Sequence, residues 1–206
     1  MRTPNAFIVP KVRICTVDSL TKPQRRSFQR NGNEALTGSM SNTCEPCDSC
    51  FGAEHCLYNV TKPTVDLLEQ LSTRDDPTFV ACRVSDDEFA GCAHVTTMSH
   101  GGKLESFTHT CPKGARVVST LCVPSKYRKD NIGGIIVNHI VRRYSGSCPI
   151  YLTVRPKRGQ LANRNFCPAR AELDGRVDKL LHFYHKRGFR IVEKTPDLWL
   201  LKFSPS

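Results

Sequence analysis

The residues able to do chemistry concentrate in one stretch, residues 117–144, which reads V-V-S-T-L-C-V-P-S-K-Y-R-K-D-N-I-G-G-I-I-V-N-H-I-V-R-R-Y. Val117, Val118, Leu121 and Val123 form an apolar run that predicts a buried strand. A basic, glycine-containing turn follows over residues 126–134. Ile132, Ile136 and Ile140, spaced i, i+4, i+8, then predict a helix. A strand entering a helix through such a turn aims several backbone N–H groups and the positive end of a helix dipole at one place. That place suits an anion, most often a phosphate. Arg128 and Lys129 add full charge there. An ordinary turn with solvated basic residues has the same composition, so the turn alone leaves both readings open.

A second cluster is Cys44-x-x-Cys47-x-x-Cys50-x5-Cys56, with His55 adjacent. Four thiolates at short spacing suit tetrahedral zinc. Zinc sites usually present two separated pairs, however, and three cysteines at intervals of three crowd one ion. The cluster stands as a candidate zinc site or as a reduced, Cys-rich loop. The chain has eleven cysteines, and no signal-peptide core follows Met1, so reduced thiols are expected. Cys122 reads as a small core thiol.

These residues need a scaffold, and 206 residues suffice for one domain with a real core. The expectation is a single domain over 1–206 with a Cys-rich insertion at about 31–60 and a basic insertion at about 155–176. With 39% hydrophobic and 24% charged residues the composition is that of a globular protein. No apolar run is long enough to span a bilayer, so an intracellular protein, cytoplasmic or nuclear, without a membrane partner is expected. The net charge of +11 is unevenly placed. Residues 1–100 carry 10 Lys and Arg against 12 Asp and Glu, and residues 101–206 carry 20 against 7. The half with the basic turn therefore holds all of the excess, a field that attracts polyanions such as a nucleotide cofactor, an RNA or an acidic surface.

Residues 11–17 alternate and predict a strand. Thr21 and Gln24 make a capping box around Pro23, so a helix is expected over about 22–30, stopped by Asn31-Gly32-Asn33. A second helix opens at Pro63, with Val65, Leu67, Leu68 and Leu71 at helical spacing. Residues 78–84 and 89–98 predict two strands joined by a hairpin turn at Asp86-Asp87-Glu88. Residues 103–115 are a connection or a short extra strand. After residues 117–144 come a strand at 150–154 and a basic segment with Arg155, Lys157, Arg158, Arg164, Arg170 and Arg176. Val177, Leu180, Leu181 and Tyr184 then predict a helix ended by Gly188, followed by strands at 189–193 and 198–203. Helices interspersed among strands without strict alternation indicate an α+β fold. The expected form is a mixed, mostly antiparallel sheet of about seven strands with about four helices on its faces.

Two motifs in this order carry a resemblance. Val123, Tyr127-Arg128 and Lys129-Asp130-Asn131-Ile132-Gly133-Gly134 resemble the acyl-CoA signature of the GNAT superfamily of N-acetyltransferases, Arg or Gln, two residues, Gly, one residue, Gly or Ala. Leu180-Leu181-His182-Phe183-Tyr184-His185-Lys186-Arg187-Gly188-Phe189 is similar to that family's aromatic-Tyr-x-x-x-Gly-Phe signature. The resemblance implies an acetyl-CoA-dependent N-acetyltransferase, with a primary amine attacking the thioester directly. Arg128, Lys129, Asp130, Asn131, Ile132, Gly133 and Gly134 would hold the CoA pyrophosphate. Main-chain groups of Leu121, Cys122 and Val123 would hold the pantetheine arm and polarise the acetyl carbonyl. The strand at 150–154 would splay away to admit the thioester. Tyr184 would donate to the departing thiolate, a task that suits a phenol protonated at neutral pH.

The chain departs from the family pattern in three places. Asn131 stands for the first Gly, a substitution Asn tolerates because it accepts left-handed angles. Ser119 stands where many relatives carry a Glu, and Val177 where an Asn is common. With that Glu absent, His94, His100, His109 and Glu105 border the expected acceptor cleft. Glu105 and His109 are the candidate bases, and ordered water is the alternative. The acceptor is a small molecule or a protein. Two other readings remain: a degenerate acyl-CoA fold that binds RNA or a protein through the basic half, and acetylation of aminoacyl-tRNA.

Overall fold

The computed structural model of the protein describes residues 11–41, 65–104, 107–154, 179–195 and 198–204. The strands are β1 (Val12–Thr16), β2 (Thr78–Arg83), β3 (Phe89–Thr97), β4 (Gly102–Lys103), β5 (Thr110–Cys111), β6 (Arg116–Cys122), β7 (Ile150–Val154), β8 (Phe189–Lys194) and β9 (Trp199–Phe203). The helices are α1 (Lys22–Ser41), α2 (Val65–Leu71) and α3 (Ile132–Tyr144), and a further helical segment, α4, over 179–185. Seven strands make one sheet in the order β1-β2-β3-β6-β7-β9-β8, and β4 pairs with β5 apart from it. Only the β6–β7 pair is parallel. A parallel pair needs a crossover, and α3 supplies it. The fold is mixed α+β with a mostly antiparallel sheet, as the sequence led one to expect.

Central strands buried on both faces read as near-continuous apolar runs. In β2, Phe79 and Ala81 face the core beneath α3, while Val80 and Cys82 face α1 and α2. The face under α3 gathers Ile132, Ile136, Ile140 and Tyr144 of that helix with Val118, Leu152 and Val154 of the sheet. Each fully buried isoleucine contributes about 2 kcal/mol of apolar transfer free energy. The opposite face packs Phe28, Ala35 and Leu36 of α1 and Val65 and Leu68 of α2 onto Val80, Phe89 and Cys92. A third cluster joins Phe107, Cys111 and Ala115 to Val117, Tyr151 and Leu200.

One expectation fails. Asn31-Gly32-Asn33 does not stop the first helix, which runs on to Ser41. Gly32 is a packing position. A Cβ there would meet Val65 Cγ2 at 2.6 Å and the Phe28 ring at 3.0 Å, so the missing side chain lets α1 approach α2. Ala35 and Leu36, 4% and 2% exposed, continue the buried face beyond it. Half of the capping box forms, with Thr21 N–H donating to Gln24 Oε1 at 3.0 Å. The Cys-rich segment from 42 onward and the whole of the basic segment at 155–176 lie outside the described residues.

Candidate active site

The site begins where β6 and β7 part. Their register holds for three pairs, Arg116 with Ile150, Val117 with Tyr151 and Val118 with Leu152. Beyond Val118, β6 stays paired with β3 on its other edge, as far as Cys122 opposite Cys92. The cause is visible at Ser119. His94 faces Thr120 and the next residue of β3, Val95, faces Val118, so Ser119 is the extra residue of a bulge. A bulge bends its strand and increases the local twist. Its hydroxyl donates to His94 O at 3.3 Å. The last four residues of β6 thus present main-chain groups that β7 does not take up.

Leu121 and Val123 pack against the core under α3, and Cys122 points to the other face, its Sγ 3.3 Å from that of Cys92. Cys122 is therefore a core thiol. The basic turn is a single 3-10 segment over Ser125–Asp130, ended by Asn131 at φ 56°, ψ 21°. Asn131 thus adopts a left-handed conformation, which a Gly would occupy more cheaply. Arg128 Nε donates back to Val123 O at 3.3 Å, while Lys129 is exposed. Tyr127 is buried and anchors the turn. Its hydroxyl donates to Glu88 Oε2 at 2.6 Å and accepts from Arg83 Nη1 at 3.2 Å, and Lys126 Nζ lies 2.5 Å from Glu88 Oε1. The Lys126 and Tyr127 bonds hold the Glu88 carboxyl below its ordinary value. Glu88 gave no signal in the sequence beyond its place in a hairpin turn.

Helix α3 starts at Ile132 without a side-chain cap, and its first turn ends in the Ile135 N–H bond to Asn131 O at 3.0 Å. The N–H groups of Ile132, Gly133 and Gly134 are thus first-turn donors beyond the reach of the helix's own carbonyls. Gly133 lies under the Phe183 ring and Val123. Arg187, which the sequence nominated only as a filler in its motif, lies over Gly134. Its Nη2 donates to Asn131 Oδ1 at 2.7 Å and its Nη1 to Phe183 O at 2.6 Å.

Tyr184 projects from α4 into the core under α3, edge-on to Phe183 and Phe189 with centroids 5.0 and 5.9 Å away. Burial pushes its phenol up to about 12, against a lowering by Arg187. It stays protonated through the neutral range.

Of the candidate bases, His109 has a built environment. Its N–H and that of Thr108 donate to the two oxygens of Glu193 at 2.6 and 2.8 Å, and its Nε2 lies 3.3 Å from the Tyr151 hydroxyl. Tyr151 stands opposite Val117, one pair before the ladder ends. Glu105 lies outside the described residues, and His100 is exposed. His94 is 3% exposed. Thr78 Oγ1 donates to Leu68 O at 3.1 Å, and with its one proton so used it accepts from His94 Nδ1 at 2.9 Å. Burial lowers the His94 pKa. Cys44, Cys47, Cys50 and Cys56 also fall outside the described residues. Among the described ones no group of three His, Cys, Asp or Glu could hold a metal ion, and no helix is long and apolar enough to cross a membrane.

Neither a family model nor a curated protein matches the sequence. Solved structures do match the fold. An acetyltransferase from Thermus thermophilus is 14% identical with a TM-score of 0.54, covering 94% of this chain and 97% of its own. The PaiA N-acetyltransferase from Thermoplasma acidophilum, in complex with coenzyme A, is 12% identical with a TM-score of 0.55, covering 95% and 99%. NAA60 of Arabidopsis thaliana, in complex with acetyl-CoA, is 14% identical with a TM-score of 0.53, covering 95% and 100%. From the bulged, half-paired β6 to the uncapped start of α3, the chain has the fold of the GNAT acetyltransferases.

Proposed function

We propose that the chain is an acetyl-CoA-dependent N-acetyltransferase acting by direct attack of a primary amine in a ternary complex. One observation carries the reading. The parallel ladder stops after three pairs, and the free end of β6 leads through the 3-10 turn to an uncapped helix start with two glycines at its first turn. Solved structures of this fold hold coenzyme A or acetyl-CoA, and the uncapped donors over Gly133 and Gly134 fit its diphosphate. When bound, the donor supplies an acetyl group already activated as a thioester.

The chain's own groups do the rest. Successive main-chain groups of a strand alternate between its edges, so those of Leu121 and Val123 are assigned to the unpaired edge, where they support the pantetheine arm and the charge that builds on the carbonyl oxygen, while Cys122 between them is paired toward β3. The pyrophosphate contacts fall to residues 128–134, with Ile132 supplying its N–H while its side chain anchors the helix. Attack forms the C–N bond, the C–S bond breaks, and the sulfur leaves as thiolate. The Tyr184 hydroxyl donates a hydrogen bond to that sulfur. At about 12 it holds its proton more tightly than a thiol near 8.5, so its contribution is to stabilise the charge developing on sulfur through that hydrogen bond while keeping its own proton. The amine must shed a proton before it can attack. His109, backed by Tyr151, is assigned that proton, and Glu105 is the alternative.

The test is a thermal shift with acetyl-CoA, acetate and ATP. Stabilisation by micromolar acetyl-CoA alone is expected, since a ligand at about 100 times its Kd adds about 2.7 kcal/mol. Absence of any acetyl-CoA shift, with a shift on RNA instead, replaces this reading by that of a polyanion-binding protein.

A further inference from the structure

Two thiols that the reaction does not use face each other on the ladder that ends at the site. Cys92 of β3 and Cys122 of β6 are directly opposed. Their sulfurs lie 3.3 Å apart, and the residues are 0% and 3% exposed. Opposed residues of an antiparallel pair have Cα atoms about 4.5–5.5 Å apart, within the span of about 4.4–6.8 Å that a disulfide bridges. The strands run close at this point, since a Cβ on Gly91, beside Cys92, would lie 2.9 Å from Cys122 O. Phe28, Val80 and Phe89 belong to the same buried cluster and leave the two sulfurs facing each other. Among the other described cysteines, Cys15, Cys82, Cys111 and Cys148, no two sulfurs are so placed.

We propose that Cys92 and Cys122 form a reversible disulfide with hydrogen peroxide as oxidant, and that the bond weakens the hold of β6 on its thioester. The effect on the ligand rests on the acyl-CoA reading above; the bond itself does not. Cys122, the less enclosed sulfur, attacks the O–O bond, giving a sulfenic acid and one water. Cys92 then attacks that sulfur, forming the S–S bond and releasing a second water. The two thiols lose two protons and two electrons in all, and the peroxide takes up both. The bond to Cys122 and burial raise the Cys92 thiol well above its ordinary value. The pair is therefore protonated at rest and answers lasting rather than brief exposure. Closing from 3.3 Å to a bond of about 2.05 Å draws the two strands together. β3 is held on both edges, by β2 and β6, whereas this end of β6 has parted from β7, so β6 yields. Leu121 and Val123 flank Cys122, and their outer-edge groups draw back from the gap.

The full chain is treated with hydrogen peroxide, blocked with iodoacetamide in denaturant and digested without reduction, and the peptides are mapped by mass spectrometry. A peptide pair joined through Cys92 and Cys122, and released by dithiothreitol, is expected. Its absence, or sulfinic acid at either residue in its place, overturns the proposal. Titration calorimetry with acetyl-CoA supplies the second readout. Peroxide should weaken binding to the parent by about five- to tenfold, the scale of one lost hydrogen bond, and dithiothreitol should restore it. Cys92→Ala should bind like the reduced parent and keep its affinity after peroxide. A linked parent that binds acetyl-CoA unchanged overturns the proposed effect, as does a Cys92→Ala protein that weakens as much as the parent. If Cys92→Ala does not fold, Cys92→Val decides by the same criteria. A reduced parent that binds no acetyl-CoA overturns the acyl-CoA reading itself, a different failure that leaves the linked peptide to be judged on its own.

Discussion

Tyr184 shows how a single group takes its protonation state from its surroundings. Phe183 and Phe189 enclose the ring edge-on, and the resulting burial keeps the phenol protonated. Tyr184→Phe should lower acetyl transfer on the order of 10²-fold while leaving acetyl-CoA affinity within about twofold of the parent. Unchanged turnover would remove Tyr184 from the reaction. Burial has the opposite consequence at His94, because it is a base. Its pKa is depressed in the fold, so its neutral form contributes stability that is present above the unfolded value of about 6.5. That stability is lost as pH falls below it. The charged groups near it reduce to Asp76, whose effect is a smaller raising. The Tm difference between the parent and His94→Gln should therefore shrink from pH 7.5 to pH 5; a difference that widens would contradict the burial account. At this scale the sequence was a partial guide. Tyr184 and Gly133-Gly134 stood out because motifs mark them. Glu88 and Arg187 did not, because their partners, Tyr127 and Asn131, lie 39 and 56 residues away and spacing carries no trace of such contacts.

The elements were more legible than the side chains. Period-2 and period-3.6 patterns placed β2, β3, β6, β7 and α3 within a residue or two, since their buried faces dictate their composition. Gly32 misled because a glycine has two uses, ending a helix or letting another approach, and only the position of Val65 distinguishes them. The bulge at Ser119 was equally invisible, since a serine on a half-buried strand has nothing unusual about it. Gly32→Ala sharpens the point. Helix propensity alone would gain about 1 kcal/mol, but the new methyl would lie 2.6 Å from Val65 Cγ2, and overpacking of that kind costs about 1–3 kcal/mol. The variant should have a lower Tm than the parent, and a higher one would show that α2 yields easily. The connection before β6 is held by another local device. Glu193 collects the N–H groups of Thr108 and His109, and those bonds lower its pKa. Glu193→Gln should speed amide exchange at both positions and leave that of β3 unchanged.

For the whole molecule, the three pairs between β6 and β7 have a mechanical meaning. The sheet consists of a four-stranded antiparallel block, β1-β2-β3-β6, and a three-stranded one, β7-β9-β8, stitched together by a seam only three residues long. A short parallel seam transmits little cooperativity, so the two blocks open with different free energies. Ligand seated in the gap would contact both edges and couple them. In hydrogen exchange, β8 and β9 should open before β2 and β3 in the free protein. With acetyl-CoA the two should approach a common protection, the unpaired end of β6 gaining most. Equal protection in the free protein would show that the core under α3 already locks the blocks. Occupancy of the gap would then be recorded in the unfolding order of strands that the ligand never touches.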